Sequence, residues 1–404
     1  MENKSFRPDF NNPHQNAIVH GDWLDRDHAY REGFMQATLA LLAVAAVESY
    51  DDPNTGETAL IFVDALVYPI CFNARHFIEL FLKDSIRAVS ALGTNPTKVG
   101  VIATHNLTAL WKDFAAAIAR DSRLVELGMP LEEVFKDISN VDNTGMTFRY
   151  SHDLDENEHL PGLEHINLTV LGSRLRKMFK QAEDFSLCLS ILQQEYAQNT
   201  FTGKLHRANI EAIAKRLPSY ESWAEELKPV KKELCDHFGL SSNDFCKAIV
   251  LIKRHREFSN LIGLELPLEG LPEDVFTRLA LVHSGKASYS AISKDEWLRL
   301  EAAMEMNRID SYSEYYDWYL KHISGPEREG PYDPAHIARN AYARNQRLHG
   351  GLLKLGQRTL LTALAKAIPH LAEPIKTPSR RTAEETSASA TETCPSLRKP
   401  PTDS

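Results

Sequence analysis

Apolar side chains recur three and four residues apart along most of this chain, and that spacing constrains the fold more than any other feature. Beyond Pro69, six large apolar residues share one stripe at this spacing: Phe77, Ile78, Phe81, Leu82, Ile86 and Val89. The same period returns farther on, in Leu107, Leu110, Trp111, Phe114 and Ile118. Side chains with this period lie on one face of an α-helix, so the sequence predicts an all-α fold built of helical bundles.

The pattern predicts helices separated by polar or glycine-containing turns. In the first half they are expected at 27–49, 60–92 with an interruption at Pro69, 107–118, 131–138 and 166–198. Residues 146–150 alternate without a helical period and are predicted to be extended. In the second half helices are expected at 207–216, 220–238, 243–258, 272–283, 294–306, 313–322, 334–348 and 352–371. Gly350 and Gly351 are predicted to separate the last two.

The length of 404 residues exceeds what one hydrophobic core usually organises, so two domains are predicted. An N-terminal arm covers 1–26, a first helical domain 27–198 and a second helical domain 205–372. From residue 373 to 404, Pro, Ser, Thr and charged residues replace nearly all large apolar ones. A segment of that composition buries too little apolar surface to offset the conformational entropy lost on ordering, so we predict a disordered tail.

Charge and cysteine content narrow the class of protein. The formal net charge of −9 opposes a broad basic surface, so any contact with nucleic acid must come from a local cluster of cations. The five cysteines are spread widely and never form a Cys-x-x-Cys motif, which favours a reducing cytoplasm over a disulfide framework. The start of the chain lacks a signal-peptide core, and the longest apolar stretch, 37–47, is too short to span a bilayer. We expect a cytoplasmic protein that does not enter a membrane.

Familiar cofactor motifs are missing from the sequence. It has neither a P-loop, nor a Gly-x-Gly-x-x-Gly turn, nor a Gly-x-Ser-x-Gly elbow, nor a paired-histidine metalloprotease helix. Four potential zinc ligands do lie close in sequence, namely Cys235, His237, Cys246 and His255. Their spacing is unusual for a compact zinc finger, and buried cysteine is ordinary in amphipathic helices. The sequence therefore predicts no cofactor and no metal.

The most specific chemical pattern is Arg344-Asn345, followed after three residues by His349 and then by Gly350 and Gly351. A guanidinium can neutralise a phosphodiester, and an imidazole can move the proton of a ribose hydroxyl near neutral pH. Together they suit RNA cleavage without a metal, in which the 2′-hydroxyl attacks the phosphorus. Arg344 would stabilise the developing charge and His349 would act as base or acid.

This run resembles the Arg-polar-x-x-x-His signature of the HEPN superfamily, a group of helical-bundle domains. Many of its members are metal-independent ribonucleases of toxin–antitoxin and phage-defence systems. The resemblance implies Arg344 and His349 as catalytic residues and Asn345 as the residue that orients them. It also implies a homodimer, because the family's sites usually form where two such helices face each other. Arg339 lies five residues before the run and Arg347 lies within it, and both are candidates to bind the RNA.

A second resemblance to HEPN-like helical domains covers about 27–197. It rests on the segments 75–83, 105–111 and 148–153, which begin Arg-His-Phe-Ile-Glu, His-Asn-Leu and Phe-Arg-Tyr. No well-spaced Arg-to-His pair lies there, so this domain would bind without cutting or use a variant site. Its candidate substrate-binding residues are His76, Glu79, Arg149 and His152.

Each of these residues also has an explanation in which it supports the fold and has no direct role in function. On an ideal helix, five residues turn the chain through roughly 500°, which leaves Arg344 and His349 about 140° apart. They can act together only if the helix yields near Gly350 or a partner chain supplies one group. His76 and Glu79 could instead link two helices, and Arg149 could pair with a carboxylate. The tyrosine-rich region around Trp297 and Trp318 could stack bases, but a core or interface seam is the simpler reading.

Two functions follow from the sequence. The first is a metal-independent endoribonuclease that acts as a homodimer, in the manner of a toxin or phage-defence effector. The alternative is a non-catalytic helical adaptor that binds RNA, a nucleotide or a protein partner such as an antitoxin. The biological role in either case rests on the family resemblance alone.

Overall fold

The fold is all-α, as predicted. The computed structural model describes residues 5–19, 26–47, 49–51, 56–93, 102–152, 155–160, 162–326, 328, 330–343 and 346–371. Besides helices, these residues form one antiparallel ribbon of two short strands, β1 (Ser49–Asp51) and β2 (Thr58–Leu60). No helix in this part of the chain is long and apolar enough to cross a membrane. The chain divides into two compact units, one up to Leu189 and one from Ser190 onward.

The first unit is a bundle around one long helix. Its helices are α1 (Arg26–Val44), α2 (Val63–Ser90), α3 (Leu107–Ile118), α4 (Ser122–Gly128), α5 (Glu132–Val141) and α6 (Leu168–Ala197), the last of which continues into the second unit. The Phe81 ring of α2 packs against a phenylalanine ring from α3, α5 and α6 in turn. The ring centroids lie 5.9 Å from Phe114, 6.1 Å from Phe135 and 5.5 Å from Phe185. The apolar stripe read from the sequence is therefore the core side of α2.

Two predictions for the first unit were wrong. Pro69 does not interrupt α2, which runs unbroken from Val63, because the helix is buried from Ile70 onward and packing outweighs the one hydrogen bond that proline cannot donate. Residues 146–150 form a turn rather than an extended segment, since the amides of Arg149 and Tyr150 both donate to the Met146 carbonyl at 3.1 Å. The carboxylate of Asp142 sets up this turn by accepting the amides of residues 145–147.

The second unit contains ten shorter helices among its described residues. They are α7 (Arg207–Arg216), α8 (Trp223–Phe238), α9 (Ser242–Arg254), α10 (Arg256–Leu261), α11 (Val275–His283), α12 (Lys294–Glu305), α13 (Tyr315–Ser324), α14 (Pro334–Ala341), α15 (Arg347–Lys354) and α16 (Arg358–Ala367). Gly239 ends α8 with a φ of 61°, and the side chain of Ser241 caps α9, as the sequence predicts. One core gathers apolar side chains from 205–262, and a second gathers those from 268–371.

The chain breaks differently from the prediction at three points of this unit. The helix expected over 352–371 is interrupted, because α15 ends at Lys354 and α16 begins at Arg358. The helix expected over 243–258 is divided at His255, which is extended and accepts the Phe258 amide on its ring at 3.2 Å. The helix expected over 334–348 ends at Ala341, and α15 begins at Arg347. Gly350 and Gly351 therefore lie inside α15 and separate nothing.

Close packing of two helices explains these glycines. A Cβ atom on Gly351 would overlap the carbonyl oxygen of Ala303 in α12, and one on Gly350 would overlap the side-chain amide of Asn307. The backbone of α15 can approach α12 this closely only where side chains are absent. Packing against α12 therefore explains why both positions are glycine, without any role in catalysis.

Replacing Gly351 with alanine tests this packing. Because the new methyl group would meet backbone rather than a movable side chain, we expect Gly351→Ala to destabilise the second unit by about 2 kcal/mol or more. Thermal unfolding followed by circular dichroism should show a midpoint roughly 5 °C lower. The matched control is Gly33→Ala in α1, where a Cβ meets nothing within 4 Å and helix propensity favours alanine. Equal midpoints for both variants would contradict the close approach.

Candidate functional site

A buried carboxylate on α2 organises the candidate site. Glu79 is 2% exposed and has three nitrogen-bearing partners. Arg75 forms an ion pair with one oxygen, while Lys83 Nζ lies 2.7 Å from the other oxygen, Oε1. The ring of His105, from the segment before α3, also contacts Oε1, with Nδ1 at 2.8 Å. One carboxylate thus joins the middle of α2 to a loop residue that lies 26 positions away.

The charge on Glu79 decides which nitrogen of His105 carries the proton. Burial alone would raise the pKa of Glu79, but the hydrogen bonds and charges of Lys83 and Arg75 outweigh it and lower the pKa to about 2. The carboxylate is therefore ionised near neutral pH and can only accept hydrogen bonds. Nδ1 of His105 must be the donor, so the neutral ring keeps a free electron pair on Nε2.

His105 lies at the surface although its anchor is buried. Two thirds of its side chain, 67%, is exposed, and none of the described residues hydrogen-bonds Nε2. Asn106 follows it and caps α3, with its side chain accepting the Ala109 amide at 2.8 Å. A histidine held by a carboxylate on one side and open to solvent on the other is the arrangement that general acid–base catalysis uses.

Arg75 holds the surrounding loops in position. Its guanidinium donates to the backbone carbonyls of His105, Asp142 and Asn143 as well as to Glu79. The side chain is 2% exposed, so it does not reach solvent or a substrate. Arg75 is a positioning residue that fixes the loops before α3 and after α5 against α2.

Further polar groups continue along the same side of α2. The His76 ring packs against the rings of Phe34 and Phe72, with centroids 4.3 Å and 5.9 Å away, and burial lowers its pKa. The guanidinium of Arg149 lies 5.8 Å from the centre of the Phe72 ring and is exposed. Residues 72 and 79 are about 10 Å apart along a helix axis, so Arg149 and His105 contact positions about two turns apart on α2.

The residues predicted around the HEPN-like run do not form one continuous helix. Arg344 and Asn345 lie outside the described residues. His349 is half-buried in the first turn of α15, which follows Gln346 in a left-handed conformation with a φ of 53°. A helix that yields near Gly350, one of the alternative conditions set out from the sequence, is not seen, because the break lies upstream, between Ala341 and Arg347.

Arg339, before this run, and Arg347, within it, lie on different helices. Arg347 in α15 has a guanidinium nitrogen 3.9 Å from a carboxylate oxygen of Glu305. Arg339 lies on the exposed side of α14. The described part of the run therefore offers one histidine and one arginine, and a second arginine stands on the preceding helix.

Of the residues predicted in the first unit, His76 and Glu79 share α2 with the candidate site, and Arg149 lies beside them. His152 is exposed and contacts the Ser151 hydroxyl at 3.0 Å. Sequence reasoning missed His105 as a site residue because nothing local marks a partnership with Glu79. Only its position just before the capping Asn106 hinted that it would stand at a helix end.

A second buried polar cluster lies in the second unit. Arg207 donates to Glu257 at 2.6 Å and to Glu314 at 2.9 Å, and His255 Nε2 lies 2.9 Å from Glu314. Burial alone would raise the pKa of Glu314, but hydrogen bonds from His255 and Arg207 hold it well below its usual range. All these side chains are largely buried, which marks the cluster as a structural link.

This cluster also bears on metal binding. His255, Glu257 and Glu314 are the one group with metal-ligand spacing within the described ranges. The Arg207 guanidinium already supplies the positive charge between the two carboxylates. His255 is grouped with these acids and not with Cys235, His237 and Cys246, the other zinc ligands considered from the sequence.

Comparison with known proteins adds no relative. No protein-family model, curated protein or solved structure matches the chain. Functional inference therefore rests on the geometry around Glu79 and on the residue patterns already described.

Removing the charge of Glu79 should destabilise the first unit in a pH-dependent way. Glu79→Gln leaves Arg75 and Lys83 without their buried counter-charge, so we expect a loss of about 3 kcal/mol at pH 7. The pKa of Glu79 is lowered from 4.5 to about 2 on folding, so its contribution is present above pH 4.5 and fades as the pH falls towards 2. Urea unfolding of both proteins between pH 7 and pH 3 measures the difference.

The control is Glu133→Gln, which removes a carboxylate that is 72% exposed and pairs with Arg174. It should change stability by roughly 0.5 kcal/mol or less. A Glu79→Gln penalty that stays constant over this pH range would show that the lost charge is not its cause.

Proposed function

We propose that this chain is a metal-independent endoribonuclease of the cytoplasm, with His105 as its acid–base residue and Glu79 as the group that orients it. The observation that carries the proposal is the contact of 2.8 Å between His105 Nδ1 and a buried, ionised Glu79, on a ring that is 67% exposed. RNA is the proposed substrate because the run that resembles the HEPN signature, residues 344–349, implies that class.

The reaction needs a base beside a ribose hydroxyl. Nε2 of His105 accepts the proton of the 2′-hydroxyl, and the 2′-oxygen then attacks the neighbouring phosphorus. The bond from phosphorus to the 5′-oxygen breaks, and that oxygen takes a proton from water while Nε2 returns the proton it accepted to the solvent. The products are a 2′,3′-cyclic phosphate and a 5′-hydroxyl end. The ionised Glu79 keeps Nδ1 protonated throughout, so the ring presents the correct nitrogen.

An exposed cation near the site suits a phosphodiester. Arg149 is exposed beside Phe72 and could hold a flanking phosphate while Phe72 limits its movement. Lys83 Nζ contacts the same Glu79 oxygen as His105, but its side chain is buried and paired, so like Arg75 it orients the site and does not meet the substrate. Arg149 thus offers a local cationic contact despite the acidic net charge of −9.

His349 remains the rival catalytic histidine. It stands in α15 near Arg347, and the HEPN-like run implies that Arg344 would assist it. His105 is preferred because it has a buried carboxylate partner and greater exposure, whereas His349 is half-buried on a helix packed against α12. A homodimer, which the resemblance implies, would be needed if the α15 run is the site.

Single-stranded RNA of mixed sequence, labelled at one end, tests the proposal with purified full-length protein in EDTA. We expect cleavage by the wild type that persists in EDTA, since no step uses a metal. His105→Ala should slow it by at least 100-fold, the range of acid–base contributions, while His349→Ala should leave it within a few-fold of wild type. The DNA strand of the same sequence should stay intact because it lacks the 2′-hydroxyl.

Three outcomes would count against the proposal. Cleavage that His105→Ala leaves unchanged but His349→Ala abolishes would move the site to α15. Cleavage that EDTA removes would replace the mechanism with a metal-dependent one. RNA that the wild type binds but never cuts would favour the non-catalytic adaptor. Circular dichroism of both variants confirms that any loss is not due to unfolding.

A further inference from the structure

The first unit contains an apolar cavity that the proposed reaction does not use. It has a volume of about 350 Å³ and lies between α2, α5, the beginning of α6 and the loop that leads into α6. Its walls are mainly aliphatic, and the apolar side chains among the described residues that line it are Cys71, Ala74, Val134, Ile138, Val141, Phe148, Leu163, Ile166, Val170, Leu171 and Leu175. None of Arg75, Glu79, Lys83 and His105 lines it.

The cavity opens to solvent through a ring of exposed aliphatic side chains. Val170 is 60% exposed, Leu163 is 39% exposed and Val141 is 37% exposed. Single exposed apolar residues are common on proteins, but three around one apolar opening form a continuous patch, and such patches mark binding sites. Burying this patch and the cavity walls would gain hydrophobic free energy that the chain alone leaves unused.

Size limits what the cavity can hold. An apolar cavity of roughly 150 Å³ accommodates benzene, so about 350 Å³ suits an apolar body of roughly ten to fifteen non-hydrogen atoms. This lies at the small end of the range for small-molecule sites. A bicyclic ring system or a short acyl chain fits, whereas a protein helix is too large.

Charge at the opening limits the polar end of the ligand. Arg174 lines the opening, and its guanidinium lies 3.0 Å from Glu133 and 2.7 Å from Asp137. Of the two carboxylates only Asp137 lines the cavity, together with the polar side chains of His165 and Asn167. Because Glu133 and Asp137 both pair with Arg174, the opening offers no unpaired arginine to an anionic head group, whereas a neutral or cationic one needs no such partner.

We infer that this cavity is a binding site for a small neutral or cationic molecule with an apolar body, such as a bicyclic aromatic amine. The apolar body fills the space between α2, α5 and α6, and the polar end lies at the rim beside Asp137. Cys71 contributes an apolar wall and not a nucleophile, because burial raises the pKa of its thiol to about 12. This inference is independent of the proposed ribonuclease activity.

Fluorescence titration with 1-naphthylamine, a neutral bicyclic amine whose emission responds to apolar surroundings, tests the site. We expect saturable binding with one molecule per chain. The related probe 1-naphthylamine-8-sulfonate has the same rings with a sulfonate added, and we expect it to bind at least tenfold more weakly at low salt. Tight binding of both probes alike would overturn the charge argument.

A filling variant locates the probe. Val134→Trp places an indole in the cavity from α5, and we expect it to weaken binding of the neutral probe at least tenfold. The matched control is Val250→Trp on α9, where the valine is 48% exposed and remote in sequence from the cavity walls. Far-ultraviolet circular dichroism and thermal unfolding establish that both variants are folded.

Two results would defeat the inference. Equal probe binding by the wild type and Val134→Trp, with both folded, would place the probe elsewhere. Sedimentation could also reveal a wild-type dimer that Val134→Trp converts to a monomer. In that case a second copy of the chain, and not a small molecule, would cover the opening.

Discussion

A carboxylate inside an apolar helical bundle must be paired, and the first unit is built around that requirement. Glu79 stands on α2 with Arg75 and Lys83 one turn to either side, so the ion pairs follow from the helix itself. The guanidinium of Arg75 has further N–H donors, and these form hydrogen bonds to the carbonyls of His105, Asp142 and Asn143. The charge of one glutamate thus fixes two loops against α2, and every feature of the candidate site depends on those loops.

The second unit uses the same physical device for a different purpose. Arg207 lies between Glu257 and Glu314, and His255 closes the group from the break between α9 and α10. The two networks differ in exposure, since the His255 side chain is 8% exposed and the His105 side chain is 67% exposed. A network that ends inside the protein can only hold helices together. A network that ends on a surface imidazole can also exchange protons with a bound molecule, and this difference makes the first cluster the candidate site.

Helices were predicted well where their signal is local. The spacing of Leu107, Leu110 and Phe114 places α3, and Gly239 and Ser241 mark the turn between α8 and α9. The errors fall where packing overrides a local signal. Pro69 continues a helix because the following turns are buried, and the glycines of α15 belong to a helix because they press against α12. Because packing alone explains why residue 350 is glycine, Gly350 no longer supports the resemblance to the HEPN signature.

The sequence by itself determined that the protein is helical and where most helices lie, and its spacing of four residues between Arg75, Glu79 and Lys83 places them on one side of α2. Those properties depend on neighbours within one or two turns, which periodicity records directly. Only the tertiary structure decided that His105 joins Glu79 across 26 residues and that Glu314 joins Arg207 across 107. It also decided that an apolar cavity opens between α2, α5 and α6. Such contacts arise from the packing of whole helices, and a single sequence carries no local pattern that reports which distant side chains will share one buried charge.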